Sequence, residues 1–155
     1  MLKAIQLSIF NVAEVQLTYK NIVPASQLPK ISSSKEAYEI LKQNWNPDSI
    51  SYYEEFKILL MNRANAVLGI LAISKGGISG CVTDVRIVMQ AALKSNSSGL
   101  ICCHNHPSGS LNPSESDSKI TRKIKDAGNL LDIPLLDHLI ITAEDYYSFA
   151  DQGLL

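Results

Sequence analysis

The sequence predicts a single domain of the mixed α/β or α+β class. Its 155 residues suffice for one domain with a buried core. Hydrophobic residues make up 46% and charged residues 19%, as in ordinary soluble globular proteins. Segments with the alternation or apolar runs of strands interleave along the chain with segments of helical periodicity, which gives the class.

The first fifty residues predict two strands and one helix. The segments "AIQLSIF" (4–10) and "EVQLTYK" (14–20) alternate well enough to form two short strands. A connector with two prolines, "VPASQLPKISS", follows. In "SSKEAYEILKQNW" a serine precedes helix formers and apolar residues recur at helical spacing, which predicts an amphipathic helix with a serine N-cap.

A hairpin and a second helix are predicted next. The segments "EEFKILLMN" and "AVLGILAIS" flank the polar turn "RAN". The second of these strands is apolar on both faces, which favours a central place in the sheet. After the break "KGGISG", the segment "TDVRIVMQAALKSN" predicts a helix with Thr83 as its cap.

The last third predicts two strands, a long helix and a short terminal element. "SGLICCHNH" is typical of a buried strand, "PLLDHLIIT" predicts another, and "DYYSFADQGLL" ends the chain. Between the strands we expect a helix with Asn112 as N-cap, Pro113 in its first position and Glu115 completing a cap-like spacing. Its apolar face is predicted to carry Ile120, Ile124, Ala127 and Leu131.

Charge and cysteine content narrow the class of protein. The net charge of −1 excludes the strong basic field that nucleic-acid binders usually carry. No apolar run is long enough to span a bilayer, and the N-terminus lacks the apolar core and cleavage site of a signal peptide. The odd, sparse set of three cysteines suits a reducing compartment, so we expect a cytoplasmic protein.

The stretch "CCHNHPSGSLNPSESD" indicates a metal site. Residues two apart on a strand face the same side, so His104 and His106 aim their rings together. A glycine turn then leads into the helix that carries Asp117 in its early turns. Two imidazoles and one carboxylate with an open fourth position form the ligand set of catalytic zinc. The alternative is a pair of solvated loop histidines beside an ordinary first-turn acid.

Two further positions bear on catalysis. Ser114 lies three residues before Asp117 on the same helix face, where its hydroxyl can bond to an attacking water or a developing oxyanion, or simply cap the helix. A general base requires a carboxylate, and Glu54 and Glu55 open the hairpin. Neighbours on a strand face opposite ways, so at most one points into the site, and spacing does not say which. Both are otherwise solvated acids.

The remaining candidates receive structural interpretations. Cys102 and Cys103 are expected to be small buried hydrophobes and not ligands. His138 is expected to make structural hydrogen bonds, Asn105 to hold the loop from the opposite side of the strand, and Trp45 to lie in the core or an interface. A modest basic strip, which is usually a solvated helix face, consists of Lys119, Arg122, Lys123 and Lys125.

The spacing His-x-His, seven residues, Ser, two residues, Asp in "HNHPSGSLNPSESD" resembles the JAMM motif of the MPN+ metallohydrolases. Together with "LDHLIIT", it is similar to the bacterial RadC family over roughly the last two thirds of the chain. The resemblance implies a mixed β-sheet flanked by helices, similar to the cytidine deaminase architecture, although the deaminases' Cys-x-x-Cys pair is absent. It divides the single domain into residues 1–50, with strands and a helix, and a metal-site core over 51–155.

The resemblance also implies residue roles. His104, His106 and Asp117 would bind Zn²⁺, Ser114 would support the tetrahedral intermediate, and Glu54 would be the base, with Glu55 pointing away. Family members commonly carry an N-terminal helix-hairpin-helix region that suggests DNA contact. The first fifty residues here predict none, which weakens the DNA-repair role of the family's traditional label.

The sequence therefore predicts a zinc metallohydrolase acting on a peptide or isopeptide bond in a peptide or protein substrate. Three alternatives remain open at this point. The domain can be a non-catalytic scaffold that binds a protein or DNA, a metal-dependent nuclease, or a non-haem iron protein, since two histidines and a carboxylate also match iron.

Overall fold

The computed structural model describes residues 15–16, 18–20, 22–78 and 80–155. A short 3₁₀ turn at Ala25–Gln27 precedes three α-helices and five strands within this part of the chain. The helices are α1 (Ser34–Gln43), α2 (Val85–Lys94) and α3 (Glu115–Leu130). The strands are β1 (Glu55–Met61), β2 (Val67–Lys75), β3 (Gly99–Asn105), β4 (Leu135–Ile141) and β5 (Tyr146–Ser148).

The five strands form one mixed sheet in the order β2-β1-β3-β4-β5. β3 lies in the centre and is buried along its whole length. It pairs antiparallel with β1, where Phe56 faces His104, and parallel with β4, where Cys102 faces His138. The first residues of β1 and the last residues of β3 and β4 therefore lie side by side, at the same end of the strands.

Helices cover both faces of the sheet, and the period-two alternation of β1 and β3 divides the core into two clusters. Leu59 and Cys103 face α1, where Leu41 and Trp45 pack against them. Ile58 and Cys102 face the opposite side, where α2 and α3 cover the sheet. The predicted mixed sheet flanked by helices is confirmed.

Most elements follow their local sequence signals. Ser33 caps α1 by accepting a hydrogen bond from the Glu36 N–H, as its serine and first-turn glutamate predict. The hairpin of β1 and β2, the buried strand β3 and the strand β4 are confirmed, and the predicted short terminal element contains the strand β5. Trp45 is buried in the core, as expected.

The predicted central position of β2 is wrong. β2 pairs with β1 only and forms one edge of the sheet. Ile70 and Leu71 are 36% and 40% exposed. Apolar residues on both faces predicted burial, but β3 occupies the other side of β1, and strand order depends on this long-range pairing.

Two predicted helix caps are also wrong. Asp84, not Thr83, caps α2 by accepting from the Arg86 N–H. Ser114, not Asn112, caps α3, so that Pro113 precedes the helix and Glu115 is its first residue. Ser114 and Asp117 form a reciprocal capping box, which satisfies two backbone N–H groups.

The apolar face of α3 is shorter than predicted. Ile120, Ile124 and Ala127 pack toward the sheet, as expected. Leu131 is the C-cap residue and is 38% exposed, because the helix has already ended at that position.

The structure describes only part of the two strands that the sequence predicts over residues 4–20. The strand predicted over 4–10 lies outside the described residues. For the strand predicted over 14–20, the described residues 15–16 and 18–20 are not in a strand. In the part of the chain that the structure describes, no helix combines the length and apolar character needed to cross a bilayer.

The close approach of α3 to the turn before β4 predicts a stability effect at Gly128. A Cβ there would collide with the backbone carbonyl of Ile133, whose own N–H donates to the Gly128 carbonyl at 2.8 Å. We expect Gly128→Ala to lower the free energy of unfolding by about 1–3 kcal/mol, despite the better helix propensity of alanine. Chemical denaturation measures this change.

Gly69→Ala in β2 is the matched control, because a Cβ at Gly69 meets no atom within 4 Å. Its free energy of unfolding should stay within about 1 kcal/mol of the wild-type value. Equal losses in the two variants would contradict the close packing at Gly128.

Candidate metal centre

The end of β3 delivers two imidazole rings to one point. His104 lies at the buried end of the strand, and His106 follows it directly. The His106 N–H donates to the Ile141 carbonyl at 3.0 Å, which keeps the chain in strand-like register beyond the last residue of β3. The two Nε2 atoms lie 3.0 Å apart. The shared side predicted from strand parity is therefore observed.

The first turn of α3 brings Asp117 to the same point. Its Oδ1 lies 3.1 Å from His104 Nε2, and its Oδ2 lies 3.5 Å from His106 Nε2. The capping box orients this carboxylate, because Oδ2 also accepts the Ser114 N–H at 2.7 Å. Among the described residues, these three side chains are the group of histidine, cysteine and acidic residues that can hold a metal ion.

The spacing of the three ligand atoms fits a tetrahedral metal. Metal–ligand distances near 2.0–2.1 Å place neighbouring ligand atoms about 3.3 Å apart in a tetrahedron. The observed separations of 3.0, 3.1 and 3.5 Å bracket this value. A metal can therefore be accommodated with side-chain shifts of a few tenths of an ångström.

The proton arrangement of His106 also suits a metal ligand. Its Nδ1 lies 2.8 Å from the Ser110 carbonyl oxygen, which can only accept a hydrogen bond. Nδ1 therefore carries the proton, and Nε2 is free to present its lone pair. The hydrogen bond with Asp117 raises the pKa of His106 despite its burial, so the surroundings of the ring favour positive charge.

Asp117 is held as a carboxylate. Burial raises its pKa, but hydrogen bonds from His104 and His106 outweigh this effect and keep the pKa well below its usual range. Two imidazoles and an ionised carboxylate thus converge at a partly buried point that favours a cation.

Glu54 and Glu55 face different surroundings. Glu54 precedes β1 and lines the same cleft as His104 and Asp117. Its charge also helps to raise the pKa of His106. The carboxylate of Glu55 pairs instead with Lys57 at 3.3 Å, and Lys57 Nζ lies 4.1 Å from the centre of the Trp45 ring on the α1 side of the sheet. Glu54 therefore lines the cleft, whereas the side chain of Glu55 lies on the other side of the sheet.

Two backbone contacts and one side chain hold Glu54 in place. The Glu54 N–H donates to Gly77, and the Gly76 N–H donates to Glu54. On the other side, the buried Asn105 amide accepts from Glu55 and donates to the carbonyls of Ile50 and Tyr53 at 2.8 Å. Asn105 therefore holds the segment leading to Glu54, and not the histidine loop that the sequence predicts it to hold.

The cleft beside His104 and Asp117 has a volume of about 600 Å³. Its polar side carries Glu54, His104 and Asp117. Its opposite wall includes Ile78 and Val82, which are 82% and 92% exposed. The cleft therefore combines a polar side with an exposed apolar wall.

Ser114 is placed as a helix cap. Its hydroxyl accepts from the Asp117 N–H at 3.1 Å and lies 2.8 Å from the Ser116 hydroxyl. Ser116 lines the cleft, whereas the residues described as lining it do not include Ser114. The capping interpretation of Ser114 is confirmed, and its part in catalysis stays a prediction.

The close approach of His138 to His104 is not predicted by the sequence. His138 is fully buried and, as predicted, makes hydrogen bonds, but its Nε2 lies 2.9 Å from Nδ1 of His104. Burial, together with the charge of His104, lowers its pKa well below the usual range. Strand parity within β3 carries no signal for this contact, which depends on the parallel pairing of β3 with β4.

Cys102 and Cys103 are buried hydrophobes, as predicted, and lie outside the ligand group. Burial raises the pKa of both thiols. Because the thiolate is the reactive form, we expect iodoacetamide at pH 8 to leave both unmodified in the folded protein. Cys81 is partly exposed and is the expected site of labelling.

Peptide mapping by mass spectrometry measures the labelling, and the denatured protein, in which all three cysteines should react, is the control. Rapid labelling of Cys102 in the folded protein would contradict its placement in the core.

Comparison with known proteins is consistent with this site. A family model described as "RadC-like JAB domain" matches residues 31–154. The chain is 49% identical over 128 residues to a UPF0758 protein of Flavobacterium johnsoniae, covering 83% of this chain and 55% of that protein. A UPF0758 protein of Porphyromonas gingivalis is 36% identical over 137 residues, covering 86% and 59%.

A UPF0758 protein of Clostridium beijerinckii is 34% identical over 147 residues, covering 95% of this chain and 63% of its own length. The chain thus spans only somewhat more than half the length of these curated relatives, and their names state no activity. The match over 31–154 includes α1 and all five described strands. The chain belongs to the family of RadC-like JAB domains.

Proposed function

We propose that this domain is a zinc-dependent hydrolase that cleaves a peptide or isopeptide bond. The observation that carries the proposal is the convergence of His104, His106 and Asp117 on one point beside a cleft that also contains Glu54. Three protein ligands leave room for water or substrate, as in catalytic zinc sites, whereas structural sites usually close with a fourth ligand.

His104 and His106 would hold the metal through Nε2, and Asp117 through its carboxylate. When bound, zinc supplies Lewis-acid chemistry: it polarises a carbonyl and makes water acidic enough to attack near neutral pH. Two nitrogen ligands and one oxygen ligand at tetrahedral spacing support zinc. The same ligand types occur with non-haem iron, and elemental analysis distinguishes the two metals.

Glu54 would act as the general base and then as the acid. Its carboxylate takes a proton from the attacking water and returns it to the leaving amine, so it ends each cycle in its starting form. Its position in the cleft, held from both sides by backbone and Asn105 contacts, supports this role. Glu55 lies on the α1 side and serves as the natural comparison.

Ser114 is proposed to assist by stabilising the oxyanion that develops on the carbonyl. Its observed bond to the Asp117 N–H supports a second contribution, the orientation of the Asp117 carboxylate. A variant with alanine at this position would lose both contributions, so this residue does not test the mechanism as cleanly as Glu54.

The cleft favours a carbonyl substrate over a phosphodiester. Its described lining contains Glu54 and Asp117 but neither lysine nor arginine. Phosphodiester cleavage concentrates negative charge that two carboxylates would repel. The described residues contain one group of side chains that can hold a metal ion, whereas many nucleases use a pair of metal ions. A scaffold that binds protein or DNA without catalysis is the other outcome of the test below.

The test compares Glu54→Gln with Glu55→Gln in the zinc-loaded protein. Fluorogenic peptides and isopeptide-linked conjugates form the substrate panel, and zinc content is measured for each variant. We expect Glu54→Gln to lower kcat by about 10²–10⁴-fold with zinc retained, since proton transfer contributes about this factor. Glu55→Gln should keep near wild-type kcat.

Equal activity of Glu54→Gln and the wild type would refute the proposed base. Zinc binding without hydrolysis anywhere in the panel, together with tight binding of a protein or of DNA, would favour the scaffold.

A further inference from the structure

Beyond the three ligands, a chain of buried hydrogen bonds links one ligand to another. Nδ1 of His104 lies 2.9 Å from Nε2 of His138. Nδ1 of His138 lies 2.5 Å from the hydroxyl of Thr121, and this hydroxyl donates to the Asp117 backbone carbonyl at 2.6 Å. This series of hydrogen bonds therefore begins at the ring of His104 and ends on the backbone of Asp117.

Only one direction of proton donation along this series of hydrogen bonds suits metal binding. A carbonyl oxygen can only accept, so a Thr121 hydroxyl that donates to Asp117 must accept from His138 Nδ1–H. Nε2 of His138 then accepts from His104 Nδ1–H, and Nε2 of His104 keeps its lone pair. The opposite direction would place a proton on His104 Nε2, where the metal must bind.

We propose that Thr121 and His138 are positioning residues that select the metal-binding tautomer of His104 and fix its ring relative to Asp117. This inference rests on the metal-binding part of the proposed function, and it does not depend on which bond is cleaved. Partners of this kind orient metal-bound histidines and raise their basicity.

The surroundings of the pair restrict alternative arrangements. His138 is fully buried, and Thr121 is 4% exposed. The ring of His138 stacks on Phe149 at 5.0 Å and lies 5.5 Å from Phe56, which fixes its plane. Thr121 lies four residues after Asp117 on α3, so helical geometry places its hydroxyl against the Asp117 carbonyl. Water therefore has little access to the hydrogen bond between His138 and Thr121, and the packed rings restrict the rotamers of His138.

The first measurement is the zinc dissociation constant, obtained by competition with a chromophoric chelator. Thr121→Val keeps the shape of the side chain but removes the hydroxyl, and we expect zinc affinity to fall about 10–100-fold. Thr121→Ser keeps the hydroxyl and should bind zinc within about threefold of the wild type, because the donor path is intact.

Ser95→Ala is the matched control. Ser95 is also buried, and its hydroxyl donates to the carbonyl of Ala91, four residues earlier. It lies at the end of α2 and has no histidine partner among its described bonds, so its loss should leave zinc affinity unchanged. Thermal unfolding without metal separates a loss of affinity from a loss of fold.

The second measurement is the tautomer of His138 in the wild-type protein with zinc, read from long-range ¹H–¹⁵N NMR. We expect a neutral ring with the proton on Nδ1. A proton on Nε2, or a doubly protonated ring, would overturn the inference even where Thr121→Val fails to fold. Unchanged zinc affinity in folded Thr121→Val would overturn it as well.

Failure of the proposed function gives a different result. A wild-type protein that binds zinc but hydrolyses nothing would refute the activity, whereas the affinity and tautomer measurements would still decide the role of Thr121 and His138. A wild-type protein that binds no zinc would overturn both.

Discussion

The pairing of β3 with its two neighbours is the constraint on which the site depends. Antiparallel pairing with β1 sets Phe56 opposite His104, so the segment carrying Glu54 begins where the histidines end. Parallel pairing with β4 requires a crossover, and α3 provides it. That helix must start near the end of β3, which places Asp117 beside both rings. One strand arrangement thus assembles residues from positions 54 to 117 and sets His138 behind them.

The electrostatics of this arrangement favour the binding of a cation. Two histidine nitrogens and a carboxylate lie 3.0–3.5 Å apart in a partly buried place, where hydrogen bonds from the rings keep the Asp117 carboxylate ionised. The lowered pKa of Asp117 and the raised pKa of His106 both express the preference of this place for positive charge. A metal cation satisfies all three groups at once. The capping box and the contacts of Asn105 maintain the geometry from outside the site.

Local signals in the sequence predict well that His104, His106 and Asp117 come together, and long-range pairing explains what these signals miss. The shared side of His104 and His106 follows from the strand period, and Asp117 follows from helix-start signals within a few residues. The edge position of β2 and the contact between His104 and His138 depend on which strands pair, which local patterns do not specify. The sequence does not place the cap of α3 correctly, because Asn112 and Ser114 both carry capping side chains and the reciprocal bond with Asp117 favours Ser114. Parity left Glu54 and Glu55 open, and the family resemblance pointed to the residue that the structure places in the cleft.

The central claim is that His104, His106 and Asp117 together form a metal site. Elemental analysis of the purified protein, with His106→Ala and Asp117→Ala beside the wild type, tests it most directly. We predict about one zinc per chain in the wild type and its loss in both variants, because a site with three protein ligands retains only two after either substitution. Wild-type protein that stays free of zinc after zinc is added back, or full zinc content in both folded variants, would contradict the account.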